Sequence, residues 1–323
     1  MHEPSSTSRP PSAFGKGSVV LDYRDLRFNP CDDLIFPGVI RAADHFSRPL
    51  GKYYMYYAPH NPPGGICLAY ADALHGPWKE VDRNPLIGNV WSPHYSVKHV
   101  SSPHAVFIPE VSRLFLYYHG DNDATRYATS EDGITFEYGD VAVHRSRFDG
   151  FSGTTYARTF CHESPSGRGR YAMLFMAFKY SATSPGVFDT HGLYVAWSHD
   201  ARTWQVDFDP ILQQADLEPD RFICSPFLLP RDGRHFILYH RDIIGADVPG
   251  KVLTDICRVE VDADLRRIGP QEMVCPRQAF GDGNERTADP CVFVEGDDLC
   301  LFVSIGPRLN QRIGLVKAPA GAL

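Results

Sequence analysis

The chain has no uninterrupted apolar stretch of the roughly 18 residues that a membrane-crossing helix needs. It has no basic block either. Asp and Glu outnumber Lys and Arg by 39 to 32, a formal charge of −7. A broad phosphate-neutralising surface is therefore excluded, so neither nucleic acid nor membrane is an expected partner. None of the eight cysteines forms a CxxC pair or a zinc-ligand spacing, so most are expected to be buried free thiols. A Gly-rich phosphate loop and a serine nucleophile elbow are both missing. No apolar period of 3.6 residues is sustained, so helix is expected to be nearly absent. The N-terminal MHEPSSTSRPPSAFGKG has no apolar core. It is expected not to be a signal peptide, and the expected location is cytoplasmic. Residues 1–16, rich in Ser and Pro, are expected to form a flexible tail ahead of a single domain over 17–323.

What the chain does have is a repeat. Its opening places a proline after a variable residue, then a spacer and two apolar residues: Phe36-Pro37-Gly38-Val39-Ile40, Ser102-Pro103-His104-Ala105-Val106, Ser225-Pro226-Phe227-Leu228-Leu229 and Asp289-Pro290-Cys291-Val292-Phe293. Tyr156-Ala157-Arg158-Thr159-Phe160 is a copy without proline. The five copies lie about 55 to 70 residues apart, a period of propeller blades. Each opening is followed by a short aromatic or β-branched strand, as in Tyr53–Tyr57 and Leu114–Tyr118, and then by a third, as in Ile66–Tyr70 and Leu193–Trp197. Three copies continue through a turn to an aromatic, at Trp78, Phe136 and Trp204, expected in the outer layer of each blade. The fold class expected is all-β, a five-bladed β-propeller.

Blades are expected over about 34–85, 98–145, 153–210, 221–274 and 286–318. The last copy stops after its third strand, while Ser18-Val19-Val20-Leu21 reads as a strand with no blade of its own. The N-terminal strand is therefore expected to close the ring by completing blade five, which removes an exposed edge. Loops entering each innermost strand and loops joining second to third strands must share one face, because antiparallel strands begin where their neighbours end. Those loops are long and polar, and the opposite turns, such as Arg231-Asp232-Gly233-Arg234, are short. The functional site is expected on the loaded face, over the central channel.

The repeated Pro-x-apolar opening, the Tyr-Tyr-x-Tyr-Tyr type of second strand and the turn Glu131-Asp132-Gly133-Ile134-Thr135-Phe136 together resemble the five-bladed propeller glycoside hydrolases. The likeness is to family 43, with families 32, 117 and 130 as relatives. It implies hydrolysis of a short oligosaccharide or glycan terminus, with inversion. It also implies a carboxylate triad: an Asp base opening blade one, an Asp opening blade two and a Glu acid in blade three. This chain departs from that pattern, with Phe36, Ser102 and Tyr156 or Arg158 at those places and Asp only at Asp289-Pro290.

Glycoside cleavage needs an acid for the leaving oxygen and a carboxylate to activate water or attack. The catalytic candidates are Asp289, which opens an inner strand, Glu285 on the same loop, Asp33 before the first inner strand, and Asp121. His119 and His240 each precede an aspartate by two residues, Asp121 and Asp242, which suggests binding of sugar hydroxyls or repeated turn chemistry. His104 and Arg158 share one repeat position and are expected to line the channel. Arg158 there could hold a carboxylate or sulfate of a sugar, or neutralise channel acids. His104 could be an acid–base, a cation ligand or a satisfied channel histidine. Trp91 could stack on a sugar ring, and Tyr156, Arg241 and Arg308 complete the substrate-binding candidates. No cofactor is expected, and a central cation such as calcium stays open. Two other functions also stay open: a glycan-binding propeller without catalysis, and a lyase using His104, Tyr156 and Arg158 on an acidic sugar.

Overall fold

Each opening motif becomes the innermost strand of a four-stranded antiparallel sheet, and five such sheets form a β-propeller. The computed structural model describes residues 14–183, 188–218, 221–244 and 251–322. The inner strands are Ile35–Ile40, Val100–Ile108, Gly153–Cys161, Arg221–Arg231 and Thr287–Glu295. Strand order from the inside outwards follows the chain in blades one to four. Blade five runs Thr287–Glu295, Asp298–Ile305, Arg312–Pro319 and then Ser18–Leu21. The closure expected from the sequence is thus realised, with Ser18 opposite Leu315 and Leu21 opposite Ile313. Among the described residues there is no α-helix, only single 3₁₀ turns, and no helix long and apolar enough to cross a membrane.

Residues 1–13 of the expected tail lie outside the described residues. The expectation does not extend to Phe14, which is buried in the core, or to Gly15, whose N–H donates to the Lys317 carbonyl at 3.0 Å. Closure makes a prediction. Leu21 is buried and Val19, two residues back, is largely exposed. Leu21→Ala is expected to cost about 2–4 kcal/mol and Val19→Ala less than about 0.5 kcal/mol. Urea midpoints of the two variants check this, and equal midpoints would mean that the strand does not hold the ring shut.

The turn aromatics sit between blades rather than on the outer layer of their own. Trp204 of blade three meets Tyr117 of blade two at 5.9 Å, Phe136 of blade two meets Tyr56 of blade one at 6.2 Å, and Trp78 of blade one meets Phe302 of blade five at 6.2 Å. Each ring seals the seam to the preceding blade, where a wide apolar body fills the gap left by two diverging sheets.

The opening motif has a structural meaning that its proline only hints at. Phe36, Ser102, Tyr156, Ser225 and Asp289 all have φ between 53° and 60°. At each of them the pairing with the second strand slips by one residue. Thr155 faces Met176, for instance, and Arg158 faces Leu174. The same slip occurs at the other four openers. A bulge leaves one residue out of the ladder, so a proline without an N–H is tolerated there. A left-handed backbone at a residue other than glycine costs of order 1 kcal/mol and persists where the surroundings impose it. Five of them ring one end of the channel, each re-aiming one side chain.

Candidate active site

Two hollows meet over the propeller axis on the face bearing the long loops. One, of about 500 Å³, has Asp289, His240, Asp242 and Cys224 along its floor and Phe188, Phe222 and Arg286 on its walls. The other, of about 400 Å³, extends over blades two and three past His119, Asp121 and Lys98. His60, Tyr156, Phe188 and Arg308 border both, so the two form one cleft.

Asp289 is the most constrained group in it. Its side chain is buried, Oδ1 accepts from the Ser225 hydroxyl at 2.7 Å, and Oδ2 accepts from the Ser304 hydroxyl at 2.7 Å. His240 Nδ1 lies 3.2 Å from Oδ1. Burial opposes the charge, but His240 and the two hydroxyls outweigh it and hold this carboxyl well below the usual carboxylate range. Ser225 opens blade four, and Ser304 stands on the second strand of blade five beside the Asp289 bulge. The bulges thus bring together groups far apart in the chain.

Burial pulls His240 toward its neutral form. Cys224, Asp242 and the bond to Asp289 oppose this and push its pKa up to about 10. The Asp289 N–H also lies 3.1 Å from Nδ1. Both contacts cannot hold at once, because a nitrogen that donates has no lone pair left to accept. The charged carboxylate is the stronger partner, so the proton sits on Nδ1, and the two flanking carboxylates favour the protonated form of the ring. On its other side, Nε2 lies 3.9 Å from Asp242 Oδ1. Asp242 Oδ1 accepts from the Thr254 hydroxyl at 2.5 Å and lies 3.3 Å from Arg286 Nη1, while Oδ2 accepts no hydrogen bond from any described residue. One imidazole ring separates the two carboxylates.

Of the expected site residues, the structure brings Asp289, Asp121, His119, Asp242, Tyr156 and Arg308 to the cleft. Asp121 stands at the rim, where its Oδ1 accepts from the Lys98 N–H at 2.8 Å. His119 is tied to the Thr155 hydroxyl at 2.8 Å, and burial keeps it neutral. Tyr156 stacks on Phe36 at 4.8 Å, so the openers of blades one and three meet across the axis.

His104 and Arg158 do line the channel, but beneath this floor. Arg158 is fully buried; its Nη1 donates to the Pro37 carbonyl at 3.2 Å and its Nη2 to the Asp289 carbonyl at 3.4 Å. Its guanidinium lies over the rings of Phe36 and Phe227. His104 Nδ1 accepts from the Thr159 N–H at 3.1 Å, and its ring packs against Phe160 and Phe227. These two side chains fill the axis and do not meet Tyr156 in one open site.

Asp33 is also sealed off. Oδ1 accepts from the Gln311 N–H at 2.7 Å, Oδ2 is buried without a partner, and burial pushes its pKa up to about 6. Glu285 turns away to Lys251 Nζ at 2.5 Å. Arg241 alternates with His240 and Asp242 along its strand and so faces the opposite side of the sheet. Trp91 belongs to a two-stranded outer ribbon and packs with Tyr95 and Tyr138. No group of three or more His, Cys, Asp or Glu side chains among the described residues is placed to hold a metal ion. A guanidinium at the axis repels a central cation, so the residues there do not fit calcium.

The sequence does not single out His60, Phe188, Phe222 or Arg286 as site residues. The available signal is position alone: His60, Phe188 and Arg286 lie in the long loops of the loaded face. Serines 225 and 304 carry no sequence signal beyond the opener position of the first.

No family model and no curated protein sequence matches the chain. Solved structures do match it in shape. One described as a glycoside hydrolase superposes with a TM-score of 0.65 at 11% identity, covering 95% of this chain and 91% of that one. A GH62 hydrolase in complex with xylotriose gives 0.61 at 11% identity, over 95% and 98% of the two chains. An endo-arabinase from Bacteroides thetaiotaomicron gives 0.58 at 12% identity, over 94% and 97%. The fold is one shared with glycoside hydrolases. At such identities the likeness concerns the path of the backbone, and the side chains of the cleft have to be read on their own.

Proposed function

We propose that the protein hydrolyses a glycosidic bond at the end of a short oligosaccharide or glycan, in the cleft over the propeller axis. One observation carries this reading: the imidazole of His240, held between two carboxylates on the cleft floor. Asp242, with Oδ2 open, takes a proton from water as the oxygen attacks the anomeric carbon. His240 gives its proton to the leaving oxygen as the bond from that oxygen to the anomeric carbon breaks. Asp289 stays ionised, keeps the ring charged in the resting state and stabilises the positive charge that builds on the sugar. Phe188 and Phe222, stacked at 4.4 Å on the wall, offer apolar faces to a sugar ring. The shared fold with glycoside hydrolases supports the same reading, although the three acids of the resembling family are replaced here.

A panel of aryl furanosides and pyranosides, read by released phenol, tests it with wild type, Asp242→Asn and His240→Gln. Cleavage of at least one substrate is expected, with kcat lowered about 10²–10⁴-fold in each variant. If wild type releases nothing yet retains glycans on an array, the cleft binds without catalysing.

A further inference from the structure

The cleft is richer in positive charge than the chain that builds it. Lys98, Arg221, Arg286 and Arg308 line it against Asp121, Asp242 and Asp289, whereas over the whole chain acids exceed bases by 39 to 32. Two of the four cations are already engaged, Arg286 with Asp242 at 3.3 Å and Arg221 with Glu218 at 3.1 Å. Asp289 is satisfied from within the protein by two hydroxyls and the His240 imidazole.

Arg308 differs from these. Like Lys98 it is exposed and forms no ion pair with any described residue, and of the two only Arg308 stands where the two hollows join. The groups that share both hollows with it are His60, Tyr156 and Phe188, none of them an acid. With no carboxylate of the described residues paired to it, this cation is placed to take up a negative charge brought by a ligand. A guanidinium pairs best with a planar oxyanion, to which it offers two parallel N–H groups.

We infer that Arg308 selects an anionic sugar: the cleft takes a glycan whose terminal residue bears a single carboxylate, as a uronic acid does. This rests on the reading that a sugar occupies the cleft, and it names which sugar. The ring lies against the aromatic wall of Phe188 and Phe222, the scissile bond faces His240 and Asp242, and the carboxylate turns to Arg308 at the join.

The test uses the full chain and four ligands that differ only at the terminal residue: the uronic acid, its methyl ester, a sulfate ester and the neutral sugar. Binding is read by calorimetry and cleavage by kcat/KM. Wild type is expected to prefer the free acid to its methyl ester by roughly 10–100-fold, the worth of one hydrogen bond to a charged partner. That preference is expected to shrink as salt is raised. Arg308→Gln is expected to bring the ratio of acid to ester close to one, and Arg308→Lys to leave it in between. Equal handling of acid and ester by wild type overturns the inference, as does a ratio that survives Arg308→Gln. A preference for the sulfate over the acid overturns the carboxylate assignment. If the neutral sugar is cleaved as well as the acid, the hydrolase reading stands and the role of Arg308 alone falls. If none of the four is bound or cleaved, both fall.

Discussion

Asp289→Asn is expected to abolish turnover, lowering kcat/KM by about 10³-fold or more, and to destabilise the fold by about 3 kcal/mol. The asparagine has the same shape, so the losses report charge. Without the carboxylate, His240 is a buried cation with only Asp242 beside it at 3.9 Å, and burial returns it to the neutral ring. Of the Ser225 and Ser304 hydroxyls, the one that now faces the amide nitrogen must turn to accept where it had donated. The pH dependence separates this account from simple misfolding. The Asp289 carboxyl is depressed in the folded state, so its contribution is present above the ordinary aspartate pKa of about 4 and is lost as the pH falls below it. His240 is raised to about 10, so its contribution is complete below its unfolded pKa of about 6.5 and fades as the pH climbs towards 10. Wild-type stability therefore carries an acid limb and an alkaline limb from this pair. Asp289→Asn is expected to flatten both. Urea unfolding between pH 3 and 10 measures it, and a variant that keeps the alkaline limb would show that His240 is not held charged by Asp289.

Asp33→Asn is expected to act in the opposite direction, stabilising the protein by about 2 kcal/mol at pH 7.5 while changing little at pH 4. Burial raises the Asp33 pKa to about 6, so between roughly pH 4 and 6 the folded state holds a proton that the unfolded chain has released. Over that interval stability falls as the pH rises, and above it the full cost of a buried carboxylate remains. Asparagine keeps an oxygen for the Gln311 N–H and carries no charge into the same space. Its amide N–H group meets no acceptor where Oδ2 now stands alone, which limits the gain. Unfolding free energies at pH 4 and 7.5 decide it: parallel pH slopes for wild type and variant would remove the claim. The kinetics of the same variant bear on the catalytic role that position along the chain suggests for Asp33. A fall in kcat of about 10²-fold with no change in stability slope would assign it to the chemistry rather than to the buried frame.

These two aspartates show where local sequence stops being informative. Both flank the start of an inner strand, and by position both are candidates for catalysis. One ends on the floor of the cleft and the other behind it, sealed by Gln311, a residue 278 positions away. His104 and Arg158 teach the same lesson. Spacing places them on the channel side of their strands, which is where they lie. Their depth is another matter, because the bulge at each opener spends one residue on re-aiming the chain; in blade three the opener Tyr156 reaches the cleft and Arg158, two places on, is buried under it.

The architecture was legible along the chain: five copies of one strand pattern, their turns, and an orphan N-terminal strand that had to find the last blade. Those features rest on side-chain alternation, on proline and glycine chemistry and on contacts between neighbours in the chain, all of which act over a few residues. The site, by contrast, is assembled by long-range packing. Ser225 and His240 come from the fourth blade and Asp289 and Ser304 from the fifth. Tyr156 of the third blade and Arg308, on a loop of the fifth, reach the same hollow. Which residues converge on the axis depends on how the blades are inclined and how far each bulge turns its side chain, and no short stretch of sequence holds that information.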